Sequence, residues 1–185
     1  CIQEAEKGLG TVGANPLVGC VVVHGARIIG RGYHEKYGAP HAEVNAIGTV
    51  TQKALLKDTT LYVTLEPCSH HGKTPPCTGM IINSGIRKVV IGAIDTNDSV
   101  SGHGAAVLKK AGCEVTTGIL EGECREQNRR FVTFIEKKRP YVILKWAQTK
   151  AGLFAESNAK QTWITGQGAQ RISHRWRAEE GAVMV

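Results

Sequence analysis

Residues 61–77 read LYVTLEPCSHHGKTPPC, a β-rich run followed by two cysteines with eight residues between them. The run over 61–65 is bounded by Thr59-Thr60 and by Pro67, so it predicts a short strand. Upstream, the apolar residues at 44, 47 and 50 keep a helical spacing after His41, which predicts a helix. The chain order is therefore a histidine, a helix, a strand and a pair of cysteines.

Helices and strands alternate on both sides of that stretch. Residues 17–23 and 26–32 are short apolar runs joined at His24-Gly25, which predicts an opening hairpin. After the second cysteine the predicted elements are a helix over 79–84, a strand over 88–94, a helix over 105–111, a strand over 114–117 and a helix over 121–138. Such an alternation predicts a layered α/β fold.

A domain boundary is predicted at residue 139, because Pro140 has no amide donor and restricts the backbone of the residue before it. The predicted domains are 1–139 and 140–185. The second is expected to hold strands over 141–147 and 162–165 and a helix over 167–180, too little for a complete domain. The first residue is not Met, and residues 182–185 are typical of an unfinished buried strand, so a trimmed chain is expected.

Composition indicates a soluble globular protein, since hydrophobic residues make up 42% and charged residues 21% of the 185 residues. No apolar run approaches the roughly 18 residues that cross a bilayer, and the first residues lack a signal-peptide pattern. Membrane insertion and secretion are therefore disfavoured, a cytoplasmic location is expected, and the six cysteines are expected to be reduced thiols or metal ligands. The net charge of +7 is diffuse, which suits an anionic small molecule and gives little support to nucleic-acid binding.

One imidazole and two thiolates, from His41, Cys68 and Cys77, are candidate zinc ligands. Three protein ligands leave the fourth tetrahedral position open, which is typical of catalytic zinc. Glu43 follows His41 by two residues, and in the first turn of a helix both side chains can reach an ion beyond the helix end. Because zinc lowers the pKa of a bound water from about 15.7 to roughly 7, this arrangement predicts hydrolysis with Glu43 as the proton carrier.

The ordered set of His-x-Glu and Pro-Cys matches the signature of the zinc nucleobase deaminases, except that their cysteines have two residues between them. Each part alone has an ordinary explanation, since His-x-Glu is common on helices and Cys is common in protein cores. Within zinc proteins, the alternative is a structural site closed by a fourth ligand from His70, His71 or Cys113.

Further motifs extend the pattern, namely NPLVGC (15–20), GYH (32–34), HAE (41–43), LEPCSHHGKTPPC (65–77), DTN (95–97), VSGHG (100–104) and NRRF (128–131). Together they resemble the bifunctional riboflavin-biosynthesis deaminase-reductases, a family within the cytidine-deaminase-like superfamily, in which the long insert between the cysteines is usual. The resemblance implies a three-layer α-β-α domain with a central mixed sheet. It also implies that the truncated start of an α/β, dihydrofolate-reductase-like reductase domain follows.

The resemblance further implies hydrolytic removal of an amine from a diaminopyrimidinone ribosylamine 5'-phosphate, a phosphorylated pyrimidine ribosylamine. In that family His41, Cys68 and Cys77 correspond to the zinc ligands and Glu43 to the proton shuttle. The corresponding substrate-pocket positions are Asn15, His34, His70, Lys73 and Thr74, whose amide, cationic and hydroxyl groups suit a pyrimidine edge, a ribose and a phosphate. For Asn15 a turn before Pro16, and for Lys73 a solvated loop charge, are the alternatives.

Residues 140–185 resemble the opening of the family's reductase domain through RPYV (139–142), LK (144–145), TWIT (162–165) and RWRA (175–178). The resemblance implies that Ala147 and Trp163 contact NADPH and that Arg177 contacts the substrate, and it implies a homo-oligomer formed through the reductase domain. Ala151-Gly152 stands where the family usually has Asp-Gly, which departs from the pattern. A core aromatic at Trp163 and a surface charge at Arg177 are the alternatives.

Two other functions fit parts of the sequence. A deaminase of cytidine, guanine or a tRNA base could use the basic residues of the predicted helix 121–138 as a nucleic-acid surface. The expected arrangement instead has a solvated basic face, with Phe131, Phe134 and Ile135 turned inward. The second alternative is a zinc-stapled binding module without catalysis. Neither alternative is expected to combine the 69–76 insert with a reductase-like end, and neither the family nor the charge implies a nucleic-acid or membrane partner.

Overall fold

A computed structural model of the chain describes residues 1–70, 75–97, 101–154 and 163–184. It divides into two compact units, Cys1–Tyr141 and Val142–Val185. The domain boundary predicted at residue 139 lies close to this division, and the assignment of the two domains stays a prediction.

The first unit is built on one five-stranded sheet. Its strands are β1 (Gly19–His24), β2 (Arg27–Tyr33), β3 (Thr59–Leu65), β4 (Lys88–Ala93) and β5 (Glu114–Thr117). The order across the sheet is β2-β1-β3-β4-β5, with β1 antiparallel to both neighbours and β3, β4 and β5 parallel. The sheet is therefore mixed, as the resemblance implied.

Helices connect these strands and cover the sheet. They are α1 (Ile2–Glu6), α2 (Ala42–Thr49), a 3-10 helix (Lys53–Asp58), α3 (Cys77–Asn83), α4 (His103–Lys110), α5 (Glu121–Gln127) and α6 (Arg129–Lys137), and the second unit contributes α7 (Gln167–Glu179). The predicted α/β class is confirmed, together with the opening hairpin, the helix after His41 and the strand that ends before Pro67.

The two faces of the sheet carry different helices. In β1, Val22 lies in the main core with Ala46 of α2, whereas a Cβ added at Gly19 would collide with the backbone of α1. Because side chains alternate between faces along a strand, α1 and α2 cover opposite faces. The sheet is thus the middle layer of three.

The main core lies between the sheet and helices α2, α3 and α4. Leu61, Ile91, Ile81 and Leu108 are all fully buried there. Each such side chain contributes roughly 1.5–3 kcal/mol of burial free energy. Residues of β3 and β4 belong to this core, so the segment with Cys68 continues from a strand that is packed in the core.

Three predictions were wrong in detail. The helix expected over 121–138 is divided at Asn128, whose buried amide bonds to the backbone of Leu17 instead of facing solvent. Within α6, all of which the structure describes, no residue is buried and Phe134 is 56% exposed, so its apolar side chains do not enter a core. Residues 141–147 form no strand, because no partner strand for them exists among the described residues.

Candidate metal centre

Three chain segments bring the predicted ligands together. His41 is the N-cap residue of α2, Cys68 follows the end of β3, and Cys77 is the first residue of α3. The Nδ1 atom of His41 lies 3.6 Å from the Sγ of Cys68 and 3.2 Å from the Sγ of Cys77. All three ligand atoms lie within 4.8 Å of one another.

These separations fit a tetrahedral zinc ion. With Zn–N near 2.05 Å and Zn–S near 2.3 Å, a tetrahedral angle places N and S about 3.6 Å apart. Among the residues that the structure describes, no fourth His, Cys, Asp or Glu joins the cluster. Of the alternative fourth ligands, His70 and Cys113 stay outside the cluster, and Cys113 donates instead to the carbonyl of Ile86 at 3.5 Å. His71 lies outside the described residues.

The first turn of α3 prepares Cys68 as a ligand. The backbone N–H of Cys77 donates to the Sγ of Cys68 at 3.3 Å, and the N–H of Thr78 donates to the carbonyl of Cys68 at 3.2 Å. A hydrogen bond from the Cys77 thiol, opposed by burial and helped by His41, lowers the pKa of Cys68 to about 4. The thiolate is the form that binds metal, so this lowering favours Cys68 as a ligand.

Glu43 is a buried acid next to this cluster. It is the second residue of α2 and is 3% exposed. Burial raises the pKa of its carboxyl above the ordinary value, while hydrogen bonding to its own backbone and the charge of His41 oppose the rise. A carboxyl with a raised pKa takes up and releases a proton closer to neutral pH, as a proton carrier must.

Asn15 and His34 form a second polar pair beside the centre. The Nδ2 of Asn15 lies 3.1 Å from the Nε2 of His34, whose Nδ1 lies 3.3 Å from the carbonyl oxygen of Pro40. The rings of His34 and His41 meet edge to face with centroids 5.7 Å apart. Burial lowers the pKa of His34, so its ring is neutral, with Nδ1 donating to Pro40 and Nε2 accepting from Asn15.

The other predicted positions are distributed differently. His70 is exposed and lies two residues after Cys68. Lys73 and Thr74 lie outside the described residues. In the second unit, Trp163 is 69% exposed, and Arg177 lies on α7 and is exposed. Ala147, in the same unit, is half-buried in a segment without regular structure.

Sequence reasoning gave no role to Glu66, a carboxylate at the end of β3 that is 5% exposed. The position itself was the available indication, because a charged residue directly after an apolar strand is buried only when other groups bind it.

The cytidine and deoxycytidylate deaminase zinc-binding region matches residues 1–93, just over half of the chain. The matched stretch contains the three predicted ligand residues and Glu43. The chain belongs to this deaminase family. Membership accounts for the His-Cys-Cys set and supports zinc as the metal for which the cluster is built.

Relatives within the deaminase family bear out the more specific resemblance. The chain is 50% identical over 184 residues to the riboflavin biosynthesis protein RibD of Aquifex aeolicus, matching 100% of this chain and 51% of that protein. RibD of Escherichia coli is 40% identical over the same length, with 100% and 50% covered.

Solved structures of two proteins with these names have a similar fold. A diaminohydroxyphosphoribosylaminopyrimidine deaminase/5-amino-6-(5-phosphoribosylamino)uracil reductase from Thermotoga maritima superposes with a TM-score of 0.88 at 48% identity, over 95% of this chain and 50% of that one. RibD of Acinetobacter baumannii gives a TM-score of 0.90 at 40% identity, over 97% and 50%. The chain spans about half the length of the relatives it matches.

Proposed function

We propose that this chain is a zinc-dependent hydrolase that removes an exocyclic amine from a diaminopyrimidinone ribosylamine 5'-phosphate, as part of riboflavin biosynthesis. The observation that carries the proposal is the three-ligand cluster of His41, Cys68 and Cys77 with the buried Glu43 beside it. The substrate class rests on the names of relatives that match 95% and 100% of this chain.

The proposed chemistry assigns a role to each group. His41, Cys68 and Cys77 would hold zinc, which supplies a nucleophile from water at neutral pH when bound. The carboxyl of Glu43 would accept one proton from the attacking water and deliver it to a ring nitrogen of the substrate. It would then accept the second proton of that water and pass it to the departing amine, which leaves as ammonia. Burial raises the pKa of this carboxyl above its ordinary value, which favours uptake of a proton by Glu43.

The Asn15–His34 pair would orient the pyrimidine. Each side chain holds the other, and His34 is also tied to Pro40, so the pair is set before the substrate arrives. An amide presents both a donor and an acceptor, which suits the edge of a pyrimidinone. Assignment of Lys73 and Thr74 to the ribose phosphate remains a prediction.

The basic residues of α5 and α6 give little support to a role as a tRNA deaminase. Arg125 pairs with Glu136 at 2.6 Å and Arg129 with Glu126 at 2.7 Å, so two of the basic groups in α5 and α6 already face acids. Arg129 also lies over the ring of Tyr141 at 5.4 Å. These contacts reduce the positive surface that a nucleic acid would meet.

The second unit is part of the proposal only through the relatives, one of which is named as a reductase as well as a deaminase. NADPH binding through Ala147 and Trp163, a substrate contact by Arg177, a homo-oligomer and a cytoplasmic location stay predictions. No helix in the described ranges has the length and apolar character to span a bilayer. Hydride transfer by a reductase domain is likewise a prediction.

The test compares ammonia release from the diaminopyrimidinone phosphate, cytidine, guanine and tRNA, with zinc content measured on the same samples. Glu43→Gln is expected to lower ammonia release about 10²- to 10⁴-fold while zinc and fold are kept. The matched control is Glu4→Gln, which alters another buried carboxylate, in α1, and should retain activity. Turnover of cytidine without turnover of the riboflavin precursor would contradict the substrate, and an unchanged rate in Glu43→Gln would contradict the mechanism.

A further inference from the structure

The carboxylate of Glu66 is held by backbone donors. Its Oε2 accepts from the N–H of Asp95 at 3.2 Å and of Gly102 at 2.9 Å, and its Oε1 accepts from the N–H of Ala105 at 2.9 Å. Within the described part of the chain no Lys, Arg or His forms an ion pair with it. A buried carboxylate with three N–H donors is well stabilised, because hydrogen bonds to a charged group are about twice as strong as neutral ones.

These donors belong to the segment that follows β4. Asp95 lies just beyond the strand, Gly102 is the N-cap residue of α4, and Ala105 lies in the first turn of that helix. The N-cap glycine has no side chain that could bond to the free N–H groups of the helix. Glu66, from the end of β3, therefore caps α4 in place of a local residue.

The first turn of α4 contacts the segment that contains Cys68, a candidate metal ligand. A Cβ added at Gly104, in the first turn of α4, would overlap the carbonyl oxygen of Pro67. Pro67 precedes Cys68 directly, so the first turn of α4 is in van der Waals contact with the peptide group that leads into the ligand. Glu66 holds this contact from one side, and the main core behind α4 holds it from the other.

We propose that Glu66 is a positioning residue of the metal centre. It fixes the Pro67-Cys68 segment against α4, and in this way it sets the Sγ of Cys68 at its distance from His41 and Cys77. The inference rests on the proposed zinc site and is independent of which amine the enzyme removes.

A glutamine at this position cannot replace the carboxylate. If its NH₂ group took the place of Oε1, it would face the N–H of Ala105, and at the place of Oε2 it would face two N–H groups. At least one hydrogen bond is lost in either orientation, and two donors are brought together. The volume of the side chain is unchanged, so Glu66→Gln disturbs the hydrogen bonds without opening a cavity.

The experiment measures zinc affinity by competition with a chromogenic chelator, at a temperature where circular dichroism shows each variant fully folded. Glu66→Gln is expected to weaken zinc binding about tenfold or more, in line with the 10- to 100-fold effect of groups that support metal ligands. The control is Thr59→Val at the opposite end of β3, which removes the buried bond from the Thr59 hydroxyl to the carbonyl of Leu56. It should lower the melting temperature and leave zinc affinity unchanged.

The outcomes separate the two claims. A wild-type chain that fails to bind zinc contradicts the proposed function itself. Wild-type binding together with Glu66→Gln affinity within twofold of it contradicts only the positioning role. If Glu66→Gln does not fold, Glu66→Asp, which keeps the charge but is one methylene shorter, takes its place and must weaken zinc binding by at least threefold. Failure of both variants to fold, with Thr59→Val folded, would assign Glu66 to the stability of the whole domain and overturn the proposal.

Discussion

Replacing Asn128 by alanine should destabilise the first unit more than any change of similar size on its surface. The side chain is 4% exposed and lies between α5 and α6. Its Oδ1 accepts from the N–H of Leu17 at 2.7 Å, and its Nδ2 donates to the carbonyl of Leu17 at 2.9 Å. One amide thus satisfies both backbone groups of a residue that is itself 7% exposed.

The magnitude follows from what the substitution leaves behind. A buried backbone group without a partner costs about 1–3 kcal/mol, and Asn128→Ala leaves two of them. Allowing for partial relaxation and for entry of water, we expect a loss of about 2–4 kcal/mol in the free energy of unfolding. Leu17 lies two residues beyond Asn15, so the change should also loosen the Asn15–His34 pair and raise the KM for the substrate more than it lowers kcat.

Urea unfolding followed by circular dichroism measures the stability, and steady-state ammonia release measures the kinetics. Asn83→Ala, at the exposed end of α3, is the control and should change stability by less than about 0.5 kcal/mol. A loss below 1 kcal/mol for Asn128→Ala would refute the reasoning, because it would mean that the backbone of Leu17 finds other partners without cost.

Two further predictions concern α2 and α1. Gly32→Ala should destabilise the first unit by more than about 2 kcal/mol, because the new Cβ would overlap the α2 backbone. Gly48→Ala, within α2, should stabilise it by about 0.5–1 kcal/mol, because a Cβ there has nothing within 4 Å. Thermal melts of both variants test the pair, and equal effects would contradict the prediction. Hydrogen bonds and charges from Lys7 and Arg31 lower the pKa of Glu4 in the folded state, so its contribution to stability is present above the unfolded pKa and is lost as pH falls through the lower folded pKa. Urea titrations of metal-free protein should therefore show Glu4→Gln less stable than wild type at pH 7, with the difference shrinking as the pH falls below the unfolded pKa, and a pH-independent difference would argue against this.

The parts of the fold that sequence predicted well are those with a local cause. The alternation of short apolar runs with helical spacing predicted the hairpin, α2, β3 and β4, because period and turn residues act within a few positions. The same reasoning failed at α5 and α6, where one helix was predicted through Asn128 but the structure has two helices that are separated at that residue. It also failed at residues 141–147, whose composition suits a strand but which pair with no strand in the described part of the chain.

The candidate site divides in the same way. Ligand chemistry is a property of residue type, so His41, Cys68, Cys77 and Glu43 could be named without coordinates. The sequence could not show that these side chains lie close together, since Cys68 and Cys77 are 27 and 36 positions from His41 along the chain. The functions of Glu66 and Asn128 were still less accessible, because their partners are backbone groups up to 111 positions away that any residue type could supply.

The amino-acid sequence alone thus determined the α/β class and supplied the candidate zinc ligands, because patterning and side-chain chemistry are local properties. Only the tertiary structure decided that the candidate ligand atoms share one small volume, that an acid is buried beside them, and that the carboxylate of Glu66, directly after β3, caps α4. The physical reason is that these features depend on how the sheet and the main core bring distant segments together. Every residue except proline has the same backbone N–H group, so residue type does not predict which acceptor it will bond to.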